Sequence, residues 1–194
     1  MKKVYAFDFD GTLTTHDTLI AFIRFACGDK AFFLGFLKYS PLLVLMKLHL
    51  YPNWKAKQKV FAHFFKGMSL EAFDATCLQF AKASTHLLRL EGIKTIKQAK
   101  EEGSEVVIVS ASIDNWVQPF FPNVKVLGTK IEIENGYLTG FFLTKNCYGQ
   151  EKVNRILKEY PNRSEYQLIA YGDSNGDKAL LAFADEAYFK PFRV

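Results

Sequence analysis

At 194 residues the chain is long enough for one core domain with at most a small accessory unit. Hydrophobic residues make up 49%, which allows a full core and excludes an intrinsically disordered chain. Net charge is +5, and the whole excess lies between Gly28 and Thr85, where eight lysines meet only Asp29, Glu71 and Asp74. Such a basic region implies an anionic partner: a phosphorylated substrate, an acidic lipid or nucleic acid. The pattern contains no nucleic-acid-binding module, so the last is set aside, and no obligate protein partner is inferred. Cys27, Cys77 and Cys147 are odd in number, far apart and without a C-x-x-C pair, which predicts reduced thiols in a cytosol. The apolar run after Met1-Lys2-Lys3 stops at Asp8, too short for a signal peptide.

In chain order, Val4-Tyr5-Ala6-Phe7 is an unbroken apolar run, the mark of a strand buried on both faces. Asp17–Ala26 has helical spacing. Ala31–Tyr51 is apolar enough to suggest a membrane span, but Lys38 and Lys47 interrupt it, each at a cost of about 3 kcal/mol in mid-bilayer. Ser40-Pro41 reads as an N-cap and first turn, predicting two short helices there. Trp54–Lys66 is a helix with Phe61, Phe64 and Phe65 inward and lysines outward, and Ser69–Ala83 is another. From Thr85 helix and strand alternate: helix His86–Glu102, strand Val106–Val109, helix Ile113–Phe120, strand Val124–Gly128. Asn135-Gly136 inside Lys130–Phe142 signals a hairpin. Helix Gln150–Glu159, strand Tyr166–Tyr171, helix Gly176–Phe183 and strand Ala187–Phe189 complete the chain. The alternation predicts an α/β fold, an open parallel sheet with helices on both faces, interrupted by a helical insert.

Chemistry gathers at the strand ends. Asp8 and Asp10, at i and i+2 of an extended segment, point to one side, and their repulsion invites a divalent cation. Gly11 opens the backbone to a ligand, and Thr12 adds a hydroxyl. Alone, D-x-D is also a solvated turn. Ser110 ends a strand beside Ala111, whose amide can approach an oxyanion, although a cap is an equal reading. Lys152 at a helix start reads alone as a surface lysine. Asp173 follows a strand, and Asp177, four residues on, reads alone as a helix cap. His16, His49, His63 and His86 lack zinc spacing.

Taken together, D-F-D-G-T, strand-Ser, Gly-x-x-Lys and strand-Gly-Asp-x-x-x-Asp resemble the four motifs of the haloacid dehalogenase superfamily, in order. The resemblance covers Val4–Thr12 and Val106–Asp177. It implies a Rossmann-like, doubly wound core over 1–17 and 86–194, with a helical cap over 18–85. It implies a phosphatase in which Asp8 is the nucleophile and Asp10 the general acid and base. Mg2+ would be held by Asp8, the Asp10 carbonyl and Asp173, with Asp177 in support. Ser110 and Lys152 would clamp the phosphoryl oxygens, and Thr12 with the Gly11 amide would complete the cradle.

The insertion point resembles the phosphoserine phosphatase branch. There Asp17 stands where a serine-binding glutamate is found, Lys59 falls near a cap arginine, and D-S-N-G-D replaces D-G-x-N-D. The Tyr148–Val153 segment, Asp173-Ser174-Asn175 and the apolar, lysine-rich insert resemble class C phosphatidylglycerophosphatases. Two substrate classes follow: a small monoester such as phosphoserine, and an amphiphilic one. The aromatics Phe32, Phe33, Phe36, Phe61, Phe64 and Phe65 read as cap core, and the lysines as either a solvated face or a peripheral contact with anionic membrane. A phosphate- or lipid-binding protein without turnover is the reading from another class. The expected location is cytoplasmic or membrane-peripheral.

Overall fold

The computed structural model of the chain describes residues 2–48 and 50–193, so His49 lies outside the described residues. Strand β1 (Lys2–Phe7) leads into a tight five-residue turn over Phe9–Leu13 and then helix α1 (Thr18–Lys47). Helices α2 (Asn53–Phe65), α3 (Leu70–Ala83) and α4 (Leu90–Glu101) follow. Next come strand β2 (Glu105–Ile113), the short helix α5 (Asp114–Val117) and strand β3 (Lys125–Thr129). Strands β4 (Ile131–Glu134) and β5 (Tyr137–Phe142) form the hairpin that Asn135-Gly136 predicts. Helix α6 (Gln150–Glu159), strand β6 (Tyr166–Gly172), helix α7 (Lys178–Phe183) and strand β7 (Glu186–Phe189) complete the order.

Five strands make a parallel sheet in the order β3-β2-β1-β6-β7. From β1 the chain steps outward through β2 to β3, then returns to the far side of β1 with β6. The direction of winding therefore reverses between β1 and β6, the place where such sheets open a crevice at their carboxyl ends. Both faces are covered, which explains the unbroken apolar runs. Val4, Ala6, Val107, Val109, Leu168 and Ala170 pack on one side with Val153, Ile156 and Leu180. Phe7, Val106, Ile108 and Ile169 pack on the other.

The insert shares that second cluster. Phe22 of α1 lies 5.0 Å from the ring of Trp116 in α5, and 5.3 Å from those of Phe65 and Phe80. Aromatic pairs of this geometry add about 0.5–1.5 kcal/mol each beyond their buried area; the first fastens the insert to the core, and the other two hold the insert together. The hairpin fastens it from the other side: the Gly67 amide donates to Leu138 at 2.8 Å and the Leu138 amide to Met68 at 2.9 Å. Phe32, Phe61 and Phe65 are buried within the insert, whereas Phe33 is exposed.

The structure corrects several sequence expectations. The break in α1 falls at Gly28, whose φ of 78° suits glycine, and Pro41 sits inside the helix. Pro41 has no N–H for the Leu37 carbonyl, and the Ser40 hydroxyl donates to that carbonyl at 2.8 Å instead. Ser40 thus repairs the helix where an N-cap is predicted. Helix α4 begins at Leu90, since Leu88 pairs with Thr14 and the Arg89 amide donates to Leu13 at 2.8 Å, holding this segment extended. Strand β2 continues to Ile113, and the helix predicted over Ile113–Phe120 is α5 followed by a 3-10 turn.

Candidate active site

Asp8 is the first residue past β1, and Asp173 the first past β6, so the switch point brings both to one crevice. The crevice is a cavity of about 730 Å³ lined by Asp8, Asp10, Gly11, Ser110, Ala111, Lys152 and Asp173, with Asp17 at its insert side. Thr12 and Asp177 are buried behind these carboxylates.

Lys152 organises the floor. Its Nζ lies 2.6 Å from Asp8 Oδ1 and 2.6 Å from Asp177 Oδ1, with the lysine and both acids almost wholly buried. Taking an ammonium out of water costs several kcal/mol. Two carboxylates repay that cost here, and hold the Lys152 pKa above its ordinary range despite burial. Burial pushes the Asp8 carboxyl up to about 7, against the pull of Lys152. Asp177 is held below its usual value: its burial is outweighed by Lys152 and by bonds from Ser174. The second Asp177 oxygen accepts from the Ser174 amide at 2.9 Å and the Asp173 amide at 3.1 Å, which fixes the loop carrying Asp173.

Asp10 is held differently. Its Oδ1 accepts from the Thr18 amide at 2.7 Å and the Thr18 hydroxyl at 2.6 Å, and its Oδ2 accepts from the Ser112 hydroxyl. Thr18 in turn accepts from Trp116 Nε1 at 3.2 Å. Gly11 has φ 79°, and a Cβ there would lie 2.5 Å from an oxygen of Asp173, so both conformation and space require glycine. The Gly11 amide donates to the Thr14 hydroxyl at 3.2 Å rather than into the cavity, because the five-residue turn folds Thr14 back toward it. The Thr12 hydroxyl likewise lies toward Asp8 and Asp173, at 3.4 and 3.5 Å. Ser110 accepts from the Ser112 amide at 3.0 Å, leaving its own hydrogen to donate.

The residues present fit a small divalent cation. Asp8, Asp173 and Asp177 each offer an oxygen within 4.8 Å of the others, a hard donor set. Asp173 also accepts a bond from Arg193, a cation already drawn to this carboxylate cluster. The Asp10 carboxylate is not part of this group and is held by Thr18 and Ser112 instead.

The insert contributes Lys57, and Asp17 stands at its entrance. Asp17 caps α1 by accepting from the Leu19 amide at 2.9 Å. Lys57 Nζ donates to the Ala111 carbonyl at 2.8 Å. Lys59, which the resemblance puts near a cap arginine, is exposed and lies over the Tyr51 ring. The reason is helical phase: Lys57 is four residues before Phe61 and seven before Phe64, on their inward face, and Lys59 is turned away. A lysine set on an apolar stripe was the available signal. Ser112 had one too, since S-A-S continues the strand alternation that places Ser110. Arg193 had none.

The model of the haloacid dehalogenase-like hydrolase family matches residues 5–182. Protein CicA of Caulobacter vibrioides is 33% identical over 195 aligned positions, covering 97% of this chain and 86% of that protein. A Bordetella pertussis Tohama I protein, described as of unknown function, superposes with TM-score 0.79 at 17% identity, covering 95% and 88% of the two chains. A substrate-bound phosphoserine phosphatase superposes with TM-score 0.63 at 17% identity, covering 97% and 86%. These structural likenesses concern the fold.

Proposed function

The chain belongs to the haloacid dehalogenase-like hydrolase family, and from that premise we propose that it is a magnesium-dependent phosphomonoesterase with Asp8 as nucleophile. The buried Asp8–Lys152–Asp177 triplet beside Asp173 carries this reading. A carboxylate fixed on one oxygen by a lysine, at the base of an open cavity, is an oriented nucleophile. An Asp8 oxygen forms a bond to phosphorus as the bond to the ester oxygen breaks, and Asp10 gives that oxygen its proton. Asp10 then takes a proton from water, which attacks the aspartyl-phosphate, frees phosphate and restores Asp8. Lys152 and Ser110 hold the phosphoryl oxygens. Bound at Asp8, Asp173 and the Asp10 carbonyl, with Asp177 in support, magnesium supplies charge neutralisation.

The cavity favours an amphiphilic monoester of the phosphatidylglycerophosphate kind. Beyond the carboxylates its insert side carries an apolar stretch of Leu19, Ile20, Phe36, Leu43 and Met46, edged by Lys47 and Asn53. A small polar substrate has no use for that apolar stretch. Asp17 and Lys57 favour the second reading, phosphoserine, since a carboxylate and an ammonium at the mouth match an amino acid's two charges. The test is hydrolysis of phosphoserine, sugar phosphates and phosphatidylglycerophosphate with magnesium, with Asp8→Asn as control. Hydrolysis by that variant at the wild-type rate overturns the mechanism. Phosphate binding without any turnover leaves a silent binding protein.

A further inference from the structure

Past Gly28, α1 has two apolar faces. The inner one packs Phe32 and Gly35 into the insert and turns Phe36, Leu43 and Met46 to the cavity. On the outer one Phe33, Leu34 and Leu37, and two turns further on Val44, Leu45 and Leu48, share one side of the helix and are 42–72% exposed. A helix apolar all round is normally covered on all sides, and a contiguous exposed patch marks an interaction surface. Lys30 and Lys38 are exposed on the same stretch, and beyond it Lys55 Nζ lies 5.4 Å from the ring of exposed Trp54. From Lys30 to Leu70 the sequence has no acidic residue.

We propose that this face docks on an anionic lipid surface. The helix would lie flat, with its phenylalanine and leucines at the headgroup–acyl boundary and its lysines among the headgroups. Among the described residues no helix is long and apolar enough to cross a membrane, which fits a surface contact. Pairing with a second copy is disfavoured by charge: like faces would oppose lysine to lysine, with no acid between Lys30 and Leu70 to relieve them. Since the same turns wall the cavity on their inner side, a docked molecule would hold its apolar wall next to the lipid. The proposal goes beyond the reaction assigned above and stands or falls separately from it.

Sedimentation with phosphatidylcholine vesicles, with and without phosphatidylglycerol, tests it at low and high salt. The protein is expected to pellet with the anionic vesicles alone and to be released by salt. Each lysine near the headgroups strengthens binding about fivefold, so Lys30→Gln with Lys38→Gln should weaken it by roughly an order of magnitude or more. Leu34→Ser with Leu37→Ser should weaken it too, by removing the apolar contact. A melting curve checks that each variant folds, and a soluble aryl phosphate tests the phosphatase reading independently. Failure of the folded wild type to pellet with anionic vesicles at low salt overturns the proposal. So does a dimer in sedimentation velocity that Leu34→Ser with Leu37→Ser dissociates, because the face would then belong to a second copy.

Discussion

Lys57, from the second helix of the insert, donates a hydrogen bond of 2.8 Å to the carbonyl oxygen of Ala111 in the second strand of the sheet. One ammonium therefore joins insert and sheet across the mouth of the cavity. Burial lowers its pKa, while Asp10, Asp17 and Asp8 oppose that shift.

Replacing it is expected to affect substrate capture first. Lys57→Met should raise KM for a phosphate monoester about tenfold, equivalent to roughly 1.4 kcal/mol, and change kcat much less. The Ala111 carbonyl keeps the Thr129 hydroxyl at 3.0 Å, so no buried acceptor is orphaned and the melting temperature should hardly move. A loss confined to kcat, with KM unchanged, would contradict a role at the mouth.

The hydrogen bonds on Asp10 make a second prediction, about leaving groups. Ser112→Ala removes the donor to one carboxylate oxygen while Thr18 keeps the other. An alkyl leaving group needs its proton, whereas p-nitrophenolate leaves readily without one. Roughly a tenfold fall in kcat is expected for alkyl phosphates, and a much smaller one for p-nitrophenyl phosphate. Equal losses on both substrates would remove Asp10 from the proton transfer.

Metal dependence is the third. Chelation should abolish hydrolysis, and magnesium should restore it. Calcium should bind without restoring the rate, since its larger, looser shell misplaces the nucleophile. At a hundredfold excess over Kd, magnesium should stabilise the fold by about 2.7 kcal/mol, a rise of roughly 5–10 °C in Tm. Asp173→Asn should lose most of that rise. Full activity after exhaustive chelation would refute the metal requirement.

Much of this site was legible because strand ends are legible. An apolar run buried on both faces must stop where polar chemistry starts, and Asp8 and Asp173 each stand at such a stop, whereas Ser110, expected at another, lies inside β2. What escaped depends on phase and on long-range contact. Ser40-Pro41 carries a genuine helix-start signal, yet the Ser40 hydroxyl satisfies the carbonyl that Pro41 leaves without a donor, and the helix runs through. The roles of Thr18 and Ser112 appear only when Asp10 is brought between them, 8 and 102 residues away in the chain. Lys59 falls near a cap arginine by its position along the chain, but helical phase turns it outward and puts Lys57 on the cavity.

The last prediction concerns the stability that Asp8 withholds. Burial pushes its folded pKa up to about 7, from an ordinary value of 3.8. An acid whose pKa is raised on folding binds more protons in the folded state than in the unfolded one. Stability is therefore lost as pH rises from about 4 through 7, and is constant above that window. Asparagine keeps the shape of Asp8 without the charge, and Lys152 keeps Asp177 as its partner. In chelator, Asp8→Asn should melt at nearly the wild-type temperature near pH 4, and at a progressively higher one as pH approaches 8. Added magnesium should narrow that gap by stabilising the ionised wild type, while the variant stays inactive throughout. Differential scanning calorimetry across pH measures this directly. A wild type at least as stable as Asp8→Asn at pH 8 in chelator would show that the buried carboxylate carries no such cost.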